Sequence, residues 1–205
     1  MKKKGATVIN KNRGFRWLWL SVSLGALSTM FCVTPVIAGN GYQWGGGGGG
    51  YGGGSGGNGS SLTQMETGWL VQMRQEEKLA RDVYRVMYQT WGAPVFSNIA
   101  ASEQRHTDAV ESLIDKYGIT DPVTNENVPG DFADPAFNTL YNSLITRGLS
   151  SLQEAYRVGV DIEVLDISDL QEAMADTNRA DIENVYGNLL DGSYNHLSAF
   201  KSMLR

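Results

Sequence analysis

From Leu62 to the end of the chain, apolar residues recur three and four positions apart, the spacing that lines one face of an α-helix. The first such stripe holds Leu70, Met73, Leu79, Ala80, Val83, Tyr84 and Met87. It predicts a helix from about Thr63 to Thr90, ended by Trp91-Gly92-Ala93-Pro94. A second stripe, Ile99, Ala100, Ala109, Val110, Leu113 and Ile114, predicts a helix from about Phe96 to Tyr117 that stops at Gly118. So short a connection folds the two into a hairpin. Residues 118 to 133, GITDPVTNENVPGDFA, hold two of the five prolines among Asp, Asn and Gly and read as a loop. Beyond it, Phe137, Leu140, Tyr141 and Leu144 mark a short helix from about Pro135 to Arg147. Two longer helices follow, from about Ser151 to Ala175 and from about Arg179 to Leu204, parted by Asp176-Thr177-Asn178. No stretch sustains period-two alternation, so the expected class is all-α: an antiparallel four-helix bundle of two hairpins with a long crossover containing an extra short helix.

The pattern is different before Leu62. Lys2, Lys3, Lys4, Lys11, Arg13 and Arg16 precede an uncharged apolar run from Trp17 to Val36, with small Ala38 just beyond it. This is the layout of a secretory signal peptide over residues 1–38, cleaved near Ala38; uncleaved, the run has the length of a membrane anchor. The expected location is therefore exported, periplasmic or extracellular, and membrane-anchored if the leader stays. Residues 39–61, GNGYQWGGGGGGYGGGSGGNGSS, have too little apolar surface to offset the entropy of ordering and read as a Gly-rich flexible tether. A phosphate-binding loop is excluded there by the missing Gly-Lys-Ser/Thr ending. The folded domain is then residues 62–205.

Cleavage removes six of the 17 Lys and Arg residues and none of the 22 Asp and Glu, so the mature chain carries about −11. Such a chain is a poor partner for nucleic acid, whose phosphates need a basic surface. The single cysteine, Cys32, lies inside the leader. Without it the mature chain has no disulfide, thiol nucleophile, iron–sulfur cluster or Cys-type zinc site.

What remains for chemistry is carboxylate and imidazole. The chain has two histidines, and His106 stands three residues after Glu103 in SEQRH, so both side chains reach one point beside a helix. On the first helix Glu77 shares the face of Ala80, Tyr84 and Met87, with Glu76 and Lys78 flanking it. On the third long helix Glu163 sits among Val160, Ile162 and Ile167, with Asp166 one turn on; the fourth carries His196. Any one of these acids alone fits a solvated helix face, and His196 alone fits a satisfied core histidine. One inward acid or imidazole on each of four helices is the joint pattern of a bundle metal site.

These same segments resemble a known family. EEKLARDVY, with Glu77, Ala80 at plus three and Tyr84 at plus seven, resembles the first-helix iron motif of ferritins and rubrerythrins, and Glu103 and His106 match their second-helix Glu-x-x-His. The run of EEKLARDVY, FSNIAASEQRH, YGITDP, VGVDIEVLDISDL and VYGNLLDGSYNHLSAF is more similar still to an uncharacterised prokaryotic family of ferritin-like domains of unknown function, over nearly all of 62–205. The resemblance implies a ferritin-like fold and a carboxylate-bridged dimetal centre. It would hold two iron ions, with manganese or zinc as alternatives, on Glu77, Glu103, His106, Glu163 and His196. The chain departs from a symmetric site at Ser193, where a second Glu-x-x-His would place a carboxylate; Asp166 can partly compensate. Tyr84 is expected to hydrogen-bond the site or pass an electron, or to be a core aromatic.

The expected partners are metal ions and dioxygen or peroxide, with an external electron donor and a homodimer left open. The implied activity is ferroxidase-like or peroxide- or dioxygen-reducing; the alternative is a non-enzymatic exported metal-binding or interaction module. Two structural expectations follow. Neighbouring ligand atoms should lie within about 3 to 6 Å of one another. Loss of Glu103 should leave the metal-free domain no less stable, because converging acids repel.

Overall fold

Thr63 starts the first helix by a reciprocal cap: its hydroxyl accepts from the Glu66 backbone N–H at 3.1 Å, and its own N–H donates to the Glu66 carboxylate at 2.8 Å. The computed structural model describes residues 61–205, which form five helices and no strand: α1 (Gln64–Trp91), α2 (Pro94–Tyr117), α3 (Pro135–Gly148), α4 (Leu152–Ala175) and α5 (Ala180–Met203). The leader at 1–38 and the tether, Ser61 excepted, lie outside the described residues. The boundaries follow the sequence signals with one correction. Gly92, at φ 66°, closes α1 in the left-handed region, and Pro94 then opens α2 as its first residue instead of merely ending α1. α2 therefore begins two residues before Phe96. Asp134 and Ser151 cap α3 and α4 through their side chains.

α1 packs on α2 and α4 on α5, α1 and α2 also meet α4 and α5 respectively, and α3 lies against α1 and α4. The result is a helical bundle. Its apolar interior is split in two. One cluster, with Leu79, Val83, Met87, Phe96, Tyr156 and Phe200 among its members, fills one end; Trp69, Leu70, Val110, Ile114, Leu170 and Tyr186 belong to a second at the other. On α1, α2, α4 and α5 alike the stretch between the clusters carries the buried polar residues: Glu76 and Glu77, Glu103, Glu163 and Asp166, Ser193 and His196. A polar layer thus crosses the middle of an apolar bundle, held in place by hydrocarbon on both sides.

α1 is buried far more completely than its stripe predicts. Every residue from Gln72 to Tyr84 is buried, including Glu76 and Lys78, which the sequence placed as flanks of an inward Glu77. The cover is the 118–134 crossover. Arg74 donates to Asp121 and Glu126, Arg81 pairs with Glu126 and Asp82, and the Lys78 ammonium donates to Asp82 at 2.6 Å and to the Val128 carbonyl at 2.9 Å. Buried charges persist only when paired, and each of these cations is. No described helix is long and apolar enough to cross a membrane.

Candidate metal centre

Glu103 stands at the middle of the polar layer. Its carboxylate spans both histidines, with Oε2 2.8 Å from His106 Nδ1 and Oε1 2.8 Å from His196 Nδ1. Glu77 Oε2 reaches His106 Nδ1 from α1 at 3.3 Å, and Glu163 Oε2 reaches His196 Nδ1 from α4 at 3.5 Å. Two triads result, Glu77–Glu103–His106 and Glu103–Glu163–His196, each with one donor atom per residue within 4.8 Å of the others. Glu103 alone belongs to both. The imidazoles stack with ring centroids 5.6 Å apart. All five residues picked from the sequence therefore converge, and the three acids are 1 or 2% exposed.

Helical register explains the convergence. Glu103 and His106 are one turn apart on α2 and face the same way. His106 fits because α5 has no side chain at Gly192, where a Cβ would sit 2.6 Å from His106 Cε1 and 2.7 Å from Nε2. The Nε2 edge of the ring lies against Gly192, and Nδ1 faces the carboxylates. Gly192→Ala should therefore displace the His106 ring and weaken metal binding by about 10- to 100-fold while the helical content stays. Metal titration followed by circular dichroism checks both halves of this expectation.

Asp166 is close to this set but outside both triads: Ser193 Oγ donates to its Oδ2, and its Oδ1 has no partner. The two positions singled out as departure and compensation are thus in direct contact. Tyr84 is buried, donates its hydroxyl to Glu163 Oε1 at 2.6 Å, and packs its ring on Phe200 at a centroid distance of 5.1 Å. It holds Glu163 in place as a hydrogen-bond donor, and is also a core aromatic.

Electrostatics separate the acids. Burial works to raise Glu103, but the two imidazoles beside it prevail and hold it down at about 2. The same contacts overcome the burial of His106 and His196 and lift them to about 11 and about 9. Burial, then the Glu103 charge, pushes Glu163 up to about 8; burial raises Asp166 to about 7; burial and the Asp166 charge carry Glu77 well above the carboxylate range. Glu103 is the counter-ion of two imidazoles, which reverses the expectation that its removal relieves repulsion. The strained acids are its neighbours.

The donor set fits a metal. Glu77 Oε1 and Asp166 Oδ1 are buried with no hydrogen-bond partner. His196 Nδ1 lies 2.8 Å from the Glu103 carboxylate, its ion-pair partner in the metal-free site. Donor atoms at that separation suit adjacent positions around one ion with bonds of about 2.0–2.2 Å. Imidazole with carboxylate oxygen accepts iron, manganese or zinc. Sequence reasoning missed Gly192 and a neighbouring group, Gln72, Glu76 and Asp169. The signal available for the latter was the three-residue spacing of Glu163, Asp166, Asp169 and Glu172.

Residues 66–205 match the family described as "Uncharacterized protein domain (DUF2202)". Uncharacterized protein MJ0754 of Methanocaldococcus jannaschii is 48% identical over 143 residues, which make up 70% of this chain and 77% of that protein. The crystal structure of hypothetical protein MJ0754 from Methanococcus jannaschii superposes with a TM-score of 0.69 at 46% identity, covering 73% of this chain and 85% of that one. The crystal structure of a DUF305 fragment from Deinococcus radiodurans reaches a TM-score of 0.56 at 13% identity over 71% and 98% of the two chains, a likeness of fold alone.

Proposed function

The chain belongs to the DUF2202 family, and we propose that its domain is a ferritin-like four-helix bundle holding a dimetal, iron-containing centre that oxidises Fe(II) with dioxygen or peroxide. The observation that carries this reading is the Glu103 carboxylate set between two Glu–His pairs. Glu77 and His106 together with Glu103 would hold one ion, and Glu163 and His196 together with Glu103 the other. When bound, such a pair supplies reversible one-electron redox steps to an oxygen substrate.

The chain's own residues set the conditions. Hydrocarbon clusters flank the polar layer on both sides and limit its exposure to water. Tyr84 fixes the Glu163 carboxylate by its hydroxyl, and Gly192 leaves room for the His106 ring. The acids and imidazoles that hold protons in the metal-free protein must release them on loading, so metal uptake is coupled to proton release. A mature chain without cysteine carries no thiol-bound electron-transfer group, which leaves Fe(II) itself or a separate donor as the source of electrons. The basic and apolar residues before Ala38 support export, and the glycine-rich stretch supports a tether.

A second reading, an exported module that binds metal without redox turnover, is favoured by Ser193, whose hydroxyl stands where a symmetric site would offer another carboxylate. Stopped-flow oxygen consumption separates the two. Anaerobic protein loaded with Fe(II) should consume dioxygen faster than the same Fe(II) in buffer. Equal rates with retained metal would leave the binding module.

A further inference from the structure

Beside the Glu103 cluster lies a second group of buried polar side chains, toward the N-terminus of α1 and the C-terminus of α4. The Gln72 amide nitrogen donates to Glu76 Oε1 at 2.8 Å and to Asp169 Oδ2 at 3.0 Å, which brings the two carboxyls side by side. Gln72 and Glu76 are 8% exposed and Asp169 5%. Acceptors outnumber donors here: Gln72 Oε1 and Glu76 Oε2 have no partner, and neither has the Tyr186 hydroxyl, which feels the Glu76 charge. Buried oxygens of that kind are normally satisfied, and a cation satisfies several at once.

The group also occupies a particular place. Glu163, Asp166, Asp169 and Glu172 follow one another every third residue of α4. Each step falls about 60° short of a full helical turn, so the row winds from the buried face of α4 to its opposite side over a rise of about 13.5 Å. Glu163 is 1% exposed, Asp166 and Asp169 are buried, and Glu172 is in solvent. On α1, Glu76 adjoins Glu77. Asp166, with its own unpartnered Oδ1, interacts electrostatically with both. Asp166 and Asp169 thus stand, along α4, between the Glu103 cluster and exposed Glu172.

We propose that Gln72, Glu76 and Asp169 form a second divalent-cation site, through which metal passes from solvent at Glu172 to the Glu103 cluster. The inference rests on the reading that the inner cluster holds metal. With the Gln72 amide turned so that Oε1 replaces its nitrogen beside the Glu76 and Asp169 carboxylates, the donors are oxygen only, which suits hard, labile cations such as Mn(II) or Fe(II) and binds them less firmly than a set containing imidazole. Weak binding is what a station on a path requires, since an ion must leave it inward. A row of one charge sign in a low-dielectric wall also raises the local concentration of the opposite charge.

The test uses Mn(II) and the metal-free full chain, with equilibrium binding read by the electron paramagnetic resonance of free Mn(II) and loading followed by stopped-flow against a chelating dye. Wild type should show a tight class and a weaker class of sites. Asp169→Asn and Glu76→Gln should each lose the weaker class and fill the tight class at least about tenfold more slowly, reaching the same tight stoichiometry. Glu103→Gln should do the converse, losing the tight class and keeping the weaker one. If both Asp169→Asn and Glu76→Gln keep the weaker class and the wild-type rate, the group is a structural tie between α1 and α4 and the proposal is overturned. A wild type with no tight class overturns the inner reading, and this one with it. Circular dichroism identifies a variant that does not fold, and the other then decides.

Discussion

Replacing Glu103 by glutamine should abolish tight metal binding at both histidines together, a loss greater than the roughly 10- to 100-fold that removal of an outer-shell partner costs. The reason is position. Glu103 is the one residue shared by the two triads, with an oxygen 2.8 Å from each imidazole, whereas Glu77 and Glu163 each serve a single triad. Glu77→Gln or Glu163→Gln should therefore impair one half of the site and Glu103→Gln both. The metal-free variant should also be less stable than metal-free wild type. Its carboxylate is the buried counter-ion of His106 and His196, and removing one partner of a buried charge group typically costs about 3–5 kcal/mol. Thermal melts of both proteins, each with and without anaerobic Fe(II), measure the two effects. Equal metal-induced rises in the midpoint would remove Glu103 from the ligand set.

The second large effect is on pH. Metal-free protein should lose stability as pH is raised from about 5 to about 9, because the folded site binds more protons than the unfolded chain throughout that range. His106 and His196, raised to about 11 and about 9 from 6.5, contribute stability that is complete below 6.5 and is lost as pH climbs through their folded values. Glu163 and Asp166, raised to about 8 and about 7, keep protons that the unfolded chain releases near 4, so they too penalise the folded state as pH rises. Glu103, held at about 2, acts at the other end: its contribution is present above 4.5 and is lost as pH falls toward 2. The midpoint should then be highest near pH 4, where the proton excess on Glu163 and Asp166 balances the deficit on Glu103. Each excess proton on the folded form lowers stability by about 1.4 kcal/mol per pH unit. Metal replaces those protons, so the midpoint gained from Mn(II) should grow with pH. A metal-free midpoint that rises between pH 5 and pH 9 would contradict this charge arrangement.

Much of the fold is legible in the sequence, for reasons particular residues supply. The apolar stripes mark α1, α2, α4 and α5 because each helix packs an apolar face into the bundle, and Thr63, Ser151, Gly92 and Gly118 announce their ends by capping chemistry. The convergence of Glu77, Glu103, His106, Glu163 and His196 is legible because each interrupts an apolar stripe with a polar side chain. The burial of Glu76 and Lys78 is not. It depends on Asp82, on the Val128 carbonyl and on the crossover that lies over α1, and no local period records it. The charge state of Glu103 is equally hidden, since His196 reaches it from α5 and not from its own helix. Gly192 reads as an ordinary helix glycine until the His106 ring is seen against it.

Glu77, Glu103, His106, Glu163 and His196 are proposed to hold a pair of metal ions. Elemental analysis of protein produced and purified without chelator, alongside Glu103→Gln prepared identically, tests this proposal most directly. A pair of ions per chain, mainly iron, is expected in the wild type and neither in the variant. A wild type that is free of transition metal and stays so after anaerobic exposure to Fe(II), Mn(II) and Zn(II) would contradict it.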